Sequence, residues 1–177
     1  GGTAIADLTG DPNYPDNPTS VEELTLFETP TNRADNFGGR VYGSLNPDIT
    51  GDYTFWIATD DAGELWLSTT DSADDAVLIA FEDSWAGPRG WANGDEQSAP
   101  VSLVAGQSYY IEALYKEGGG GDNLAVGWAL SSNMDSVVVV PGAISLLATN
   151  VGPADGAADV AVESVLEWTA GPTALMH

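Results

Sequence analysis

The chain has no cysteine, one histidine and only 4 Lys plus Arg in 177 residues, against 27 Asp plus Glu. Each shortage removes a class of chemistry. Without Cys there is no disulfide scaffold, no thiolate zinc or iron–sulfur site and no thiol nucleophile. The one His is the last residue, His177, which leaves no internal imidazole as general base, metal ligand or proton shuttle and argues against triad hydrolysis. Arg33, Arg40, Arg89 and Lys116 are too few and too scattered to form a phosphate-neutralising patch, so nucleic acid is excluded as a partner. Anionic membrane surfaces repel the chain for the same reason. No apolar run approaches the roughly 20 residues needed to cross a bilayer, and direct membrane insertion is not expected.

What is plentiful is carboxylate oxygen, together with backbone carbonyls made accessible by 21 glycines, at a formal net charge of −23. Those are ligands for hard cations, above all Ca²⁺. A large Asp excess with little Lys is also how a protein in salty water stays hydrated and monomeric while counterions screen its self-repulsion. Most of the acidic residues belong to such a coat, and only a few are candidates for a site.

Along the chain, residues 1–23 read as an irregular N-terminal arm packing on the main domain. Turn formers crowd it (Gly10-Asp11-Pro12-Asn13-Tyr14-Pro15-Asp16, then Pro18), and a short strand is expected near Leu24 to Glu28. No Met or charged-then-apolar leader opens the sequence, which reads as an excised piece. Residues 24–148 read as an all-β, antiparallel two-sheet β-sandwich, jelly-roll-like, with long loops. Its strands are expected at Arg40 to Leu45, Tyr53 to Ala58, Leu65 to Leu67, Val77 to Ala80, Val101 to Val104, Ser108 to Tyr115, Leu124 to Leu130 and Val137 to Val140. Gly, Pro, Asn and Asp clusters punctuate the gaps, and no segment holds a helical period over a dozen residues. Residues 149–177 begin like a linker and continue with a strand-like Val165 to Gly171. They resemble the opening of an immunoglobulin- or fibronectin-like module, and the other reading is an extra strand packed back on the sandwich.

Two segments carry candidate chemistry. Thr59-Asp60-Asp61-Ala62-Gly63-Glu64 follows an alternating strand. Successive side chains of a strand point to opposite faces, so Asp60 and Asp61 share one ion only if a tight turn or a cis peptide bond intervenes. The plain alternative is an acidic surface turn. The second segment, Lys116-Glu117-Gly118-Gly119-Gly120-Gly121-Asp122-Asn123-Leu124, lies between two alternating strands. Four glycines lose much conformational entropy on ordering, and they let carbonyls turn inward. Glycine carbonyls, with the side-chain oxygens of Asp122 and Asn123, make a Ca²⁺ half-site. A flexible hairpin tip is the plain alternative. A phosphate loop does not fit, because no Gly-Lys-Ser/Thr and no helix follows.

From about Leu24 to Leu130 the sequence resembles the protective-antigen-type fourteen-kilodalton domain, a β-sandwich of bacterial adhesins, glycosidases and toxins. The resemblance rests on Asp35-Asn36-Phe37-Gly38-Gly39-Arg40-Val41-Tyr42-Gly43, on Thr50-Gly51-Asp52-Tyr53-Thr54-Phe55-Trp56-Ile57-Ala58, and on Asp60-Asp61-Ala62-Gly63-Glu64-Leu65-Trp66-Leu67-Ser68. Gln97 to Pro100, Ala105 to Ala113 and Lys116 to Trp128 complete it. In lectin members of the family, adjacent Asp residues joined by a cis peptide, with a later loop, hold Ca²⁺, and vicinal sugar hydroxyls complete its shell. Carried over, the pair is Asp60 and Asp61 and the loop is Gly118 to Asn123, with Asp122 first and Asn123 competing as its side-chain ligand, and with Gly119, Gly120 and Gly121, and Leu124 after them, offering carbonyls.

Aromatic residues are weighed in the same way. Trp56, Trp66 and Trp128 lie in alternating strands and read as core packing. Trp85 and Trp91 lie in a loop-like stretch, where either is a candidate for stacking on a sugar ring and at least one is expected to anchor the loop. The expected function is a Ca²⁺-dependent carbohydrate-binding, lectin-like module of a larger secreted or cell-surface protein, non-catalytic, with a glycan and neighbouring domains of its own chain as partners. Two alternatives stand beside it. One is a structural spacer stiffened by Ca²⁺. The other is a glycosidase, which needs two carboxylates about 5–10 Å apart on different strands.

Overall fold

A computed structural model describes residues 1–150 apart from residue 93. These residues form two antiparallel sheets. The strands are β1 (Ser20–Leu26), β2 (Phe37–Leu45), β3 (Gly51–Asp60), β4 (Gly63–Leu67), β5 (Val77–Glu82), β6 (Val101–Leu103), β7 (Tyr109–Glu117), β8 (Asn123–Leu130), β9 (Val138–Val139) and β10 (Pro141–Asn150). The larger sheet runs β1-β10-β2-β7-β4-β5 and the smaller β6-β3-β8-β9. The two-sheet antiparallel architecture is the one the alternating sequence predicts. Among the described residues, no helix is long and apolar enough to cross a membrane.

The core follows from the period-2 pattern. Phe37, Val41 and Leu45 of β2, Leu65 and Leu67 of β4, and Tyr109, Ile111, Ala113 and Tyr115 of β7 point inward from the larger sheet. They meet Tyr53, Phe55 and Ile57 of β3 and Leu124 and Val126 of β8. Burying each large apolar side chain contributes roughly 1.5–3 kcal/mol before conformational entropy is charged against it. Strand β3 is buried on both faces from Tyr53 to Thr59. Its outer face lies under Trp91, which packs at Gly127 opposite Trp56, and residues 96–98 pair along its free edge, where the Glu96 carbonyl accepts from the Ile57 N–H and the Phe55 carbonyl accepts from the Ser98 N–H. Trp56, on that outer face, is buried, and Trp128 stacks on Tyr53 at 4.8 Å. Trp66 departs from the expected core role. Leu65 and Leu67 take the inward positions, so Trp66 emerges on the other face of β4, half-buried, with its Nε1 donating to Glu64.

Three boundaries differ from the sequence reading. The N-terminal arm contains a helical turn, α1 (Ile5–Thr9), too short to give a helical period. Its Leu8 is buried against Leu114, with Ile5 and Tyr14 alongside, and a side chain at Gly38 would lie 2.7 Å from Leu8 Cδ1. Strand β1 starts at Ser20, and β10, which the sequence reading lacked, inserts between β1 and β2. The proposed following module or extra strand beyond residue 150 lies outside the described residues.

Candidate cation and ligand site

The two segments singled out in the sequence meet at one end of the sandwich. Strands β3 and β8 pair so that Asp60 stands opposite Asn123, the last cross-strand pair of that ladder. Opposed residues in antiparallel strands hold their Cβ atoms about 4.5–5.5 Å apart on one face. Strand β7 ends at Glu117, and residues 118–122 return the chain to β8. The turn between β3 and β4 is tied to β7 by the Asp61 N–H donating to Lys116 O (3.1 Å) and the Lys116 N–H donating to Ala62 O (2.9 Å). The Asp60–Asp61 peptide bond is cis. One carboxylate oxygen from each of Asp60, Asp61 and Glu117 lies within 4.8 Å of the others.

The glycine loop is ordered by its neighbours. Asp61 Oδ2 accepts from the Gly118 N–H at 3.0 Å, and Asp35 Oδ1 accepts from the Gly120 N–H at 3.2 Å. Gly120 takes φ +126°, a conformation that side-chain-bearing residues rarely adopt. Gly121 passes Asp60 so closely that a Cβ there would stand 3.6 Å from its Oδ2. The Gly118 and Asp122 carbonyls accept from the N–H groups of Asn36 and Asn32, and the Leu124 carbonyl accepts from Thr29.

Asp122 plays a double part. Its Oδ2 accepts from the backbone N–H groups of Arg33 and Ala34, which fixes the segment preceding β2, while its Oδ1 is buried without a hydrogen-bond partner. Asn123 donates from Nδ2 to Ala86 O at 2.9 Å, and its Oδ1 is likewise buried and unpartnered. Glu117 is fully buried, with both carboxylate oxygens unpartnered. An unsatisfied buried acceptor costs about 1–3 kcal/mol, more when charged. Four such atoms belong to three residues at this one end of the sandwich.

The electrostatics agree. Burial, then the charges of Asp61, Asp60 and Asp122, pushes the Glu117 carboxyl up to about 7. Asp60 is raised by burial and by Asp61 and Asp122. Burial also raises Asp122, against the lowering effect of its two backbone hydrogen bonds. Little cationic relief is at hand, because Arg33, Arg40 and Arg89 pair with Glu22, Glu112 and Glu28. Lys116 is buried with its Nζ donating to Glu117 O, and burial lowers its pKa. All the donors presented are hard oxygens, which suits Ca²⁺ better than any softer metal.

Asp60, Asp61, Asp122, Asn123 and the glycine loop are thus brought to one place. Glu117 is the residue that sequence reasoning passed over. Its signal was available: it continues the inward register of β7 after Tyr115, where an acidic residue has no apolar role. The two loop tryptophans separate. Trp85 forms an isolated bridge with Asp60, and the next residue donates its N–H to Thr59 O at 2.7 Å, so the 67% exposed indole stands beside the carboxylates. Trp91 packs elsewhere, 3.1 Å from the position a Gly127 Cβ would take, and anchors its loop.

Comparison with known proteins finds chains similar to this one. The chain is 34% identical over 123 residues to the mouse (Mus musculus) N-acetyl-beta-glucosaminyl-glycoprotein 4-beta-N-acetylgalactosaminyltransferase 1, covering 66% of this chain and 12% of that protein. It is 34% identical over 83 residues to mouse Fibrocystin-L, covering 47% of this chain and 2% of that protein. Among solved structures, the A domain of epithelial adhesin 6 from Candida glabrata, in complex with Galb1-3GlcNAc, aligns with a TM-score of 0.48 at 18% identity, over 78% of this chain and 75% of that one. A PA14 sugar-binding domain from an RTX adhesin aligns with a TM-score of 0.41 at 15% identity, over 56% and 48% of the two chains. The PA14 domain description matches residues 6–140, the greater part of the chain, which therefore belongs to the PA14 domain family.

Proposed function

We propose that this chain is a Ca²⁺-dependent carbohydrate-binding module of a larger extracellular protein, in which Asp60, Asp61, Glu117 and Asn123 hold the ion and Asp122 supports it. The observation that carries the reading is the set of buried, unpartnered oxygens on Glu117, Asp122 and Asn123 beside the Asp60–Asp61 pair. A bound Ca²⁺ would supply the missing charge and accept two vicinal hydroxyls of a sugar in place of waters. The role of the protein residues is to fix the ion's position and leave one side of it open. Trp85, exposed at the rim, offers an apolar face for the C–H side of the ring. Carbonyls of Gly119, Gly120 and Gly121 remain candidate ligands. A site of this kind is filled at the roughly 10⁻⁴–10⁻³ M affinities of extracellular Ca²⁺ modules.

The reading is non-catalytic. Asp60, Asp61 and Glu117 present oxygens within 4.8 Å of one another, whereas glycosidase carboxylates stand about 5–10 Å apart with the scissile bond between them. The test is a glycan array probed in Ca²⁺ and in chelator, with wild type and Asp60→Ala/Asp61→Ala. Chelator-sensitive binding that the double variant abolishes is expected. Glycan binding that persists in chelator would sink the mechanism, turnover of a polysaccharide would restore the enzyme, and Ca²⁺-dependent stability without any glycan binding would leave a spacer.

A further inference from the structure

A second concavity opens beside the carboxylate cluster. It has a volume of about 280 Å³ and lies between residues 3–6 of the N-terminal arm, Ala62 with the first two residues of β4, and residues 81–83 at the end of β5. None of the cluster's carboxylates lines it, and it adjoins the cluster through shared neighbours. Ala62 is bonded to Asp61, Thr3 packs where a Gly118 Cβ would fall (2.7 Å from Thr3 Cγ2), and Asp83 lies two residues before the exposed Trp85. Resting on the proposed function, we propose that this cavity is a second sugar subsite, occupied by the ring adjoining the one on the ion, with one wall supplied by the N-terminal arm.

The lining has the two-sided character that a pyranose demands. Ala4, Ile5 and Ala62 present apolar surface to a ring face, while Glu64, Glu82 and Asp83 accept hydrogen bonds from hydroxyls. Glu82 is held in place rather than free to swing: it is 5% exposed, and its Oε1 accepts from the Ser84 N–H and Oγ, both at 2.9 Å. Glu64 Oε2 is likewise oriented by the Trp66 indole at 3.1 Å. The volume, about 280 Å³, falls just below the roughly 300–1,000 Å³ typical of sites for drug-sized ligands, room for one ring. Three carboxylates and no cation line it, so a uronic acid or sulfated ring is repelled and a neutral ring is admitted. The ligand is then at least a disaccharide of neutral sugars, read by two parts of the surface at once.

The experiment compares neutral mono-, di- and trisaccharides of glucose, galactose, mannose and fucose on one array in Ca²⁺, with their uronate counterparts alongside. Wild type is expected to bind its preferred oligosaccharide at least tenfold better than the matching monosaccharide, which is what one or two added hydrogen bonds provide. Ala6→Trp places a ring over the cavity from an exposed position and should erase that advantage while leaving chelator-sensitive monosaccharide binding unchanged. Asp83→Ala serves as a second variant should the first unfold, and is expected to cost severalfold on oligosaccharides alone. An oligosaccharide advantage that survives both variants, equal affinity for one ring and two, or a preference for uronates overturns the subsite while the proposed function stands. Loss of all chelator-sensitive binding in wild type overturns both.

Discussion

Replacing Glu117 with Gln probes the candidate site with opposite signs in two solutions. Without metal, the folded carboxyl titrates at about 7 against an ordinary 4.5. Because the folded value is raised, the native state holds its proton more tightly than the unfolded chain. The stability it lends is complete below about pH 4.5 and is lost as pH rises through 7. A difference of two to three pKa steps at 1.36 kcal/mol each amounts to about 3 kcal/mol by pH 8. Glu117→Gln removes the titration and keeps the shape. In EDTA at pH 8 the variant should therefore be more stable than wild type by up to about 3 kcal/mol, or about 6–12 °C in Tm for a domain of this size. At pH 5 the two should converge. In millimolar Ca²⁺ the order should reverse, because wild type gains the binding free energy and the variant has lost a charged ligand. Circular dichroism melts at pH 5, 6.5 and 8, in EDTA and in Ca²⁺, read all four corners. Asp60 and Asp122 are raised by burial and by groups other than Glu117, so the variant should keep those shifts and the difference between the two proteins isolates Glu117. A wild type that grows more stable from pH 5 to 8 in EDTA, or a variant that fails to gain there, would refute the reasoning.

Other expectations follow from the same geometry. Trp85→Ala should weaken glycan binding severalfold while leaving Tm and Ca²⁺ affinity within error, since the indole is 67% exposed; isothermal titration of sugar and of Ca²⁺ separately decides it. Asn123→Ala removes a candidate ligand and the tie to Ala86 O, and Ca²⁺ affinity by titration calorimetry should fall roughly 10–100-fold. Gly39→Ala would set a Cβ 2.1 Å from Tyr115 Cε1 under a buried ring, and urea unfolding should show a loss of about 1–3 kcal/mol with the m-value unchanged.

Much of the fold was legible because β2, β3, β7 and β8 alternate plainly, and turn residues fall between them. The Asp60–Asp61 pair and the glycine loop were legible as chemistry before their meeting was seen, since each offers hard oxygen in a loop. Glu117 was not singled out because a strand end and a loop start share the same letters, and only the inward register of β7 assigns it. Strand β10 was missed for a different reason. Its sequence, Pro141-Gly142-Ala143-Ile144-Ser145-Leu146-Leu147-Ala148-Thr149-Asn150, opens with two strand-breaking residues and runs into a linker-like stretch, and what makes it a strand is pairing with β1 and β2. The helical turn α1 is similarly a product of contact, held by Leu8 on Leu114.

That late strand also bears on synthesis. Strand β1 leaves the ribosome first, but its one ladder neighbour among the described residues is β10, more than a hundred residues behind it. Until residues 141–150 emerge, β1 and β2 both present open edges, and the larger sheet lacks the piece that joins its N-terminal strand to the rest. Completion of the fold therefore waits for the end of the domain to be translated, and a chain stopped at residue 140, where the family match ends, should expose two unpaired edges to whatever strand meets them first.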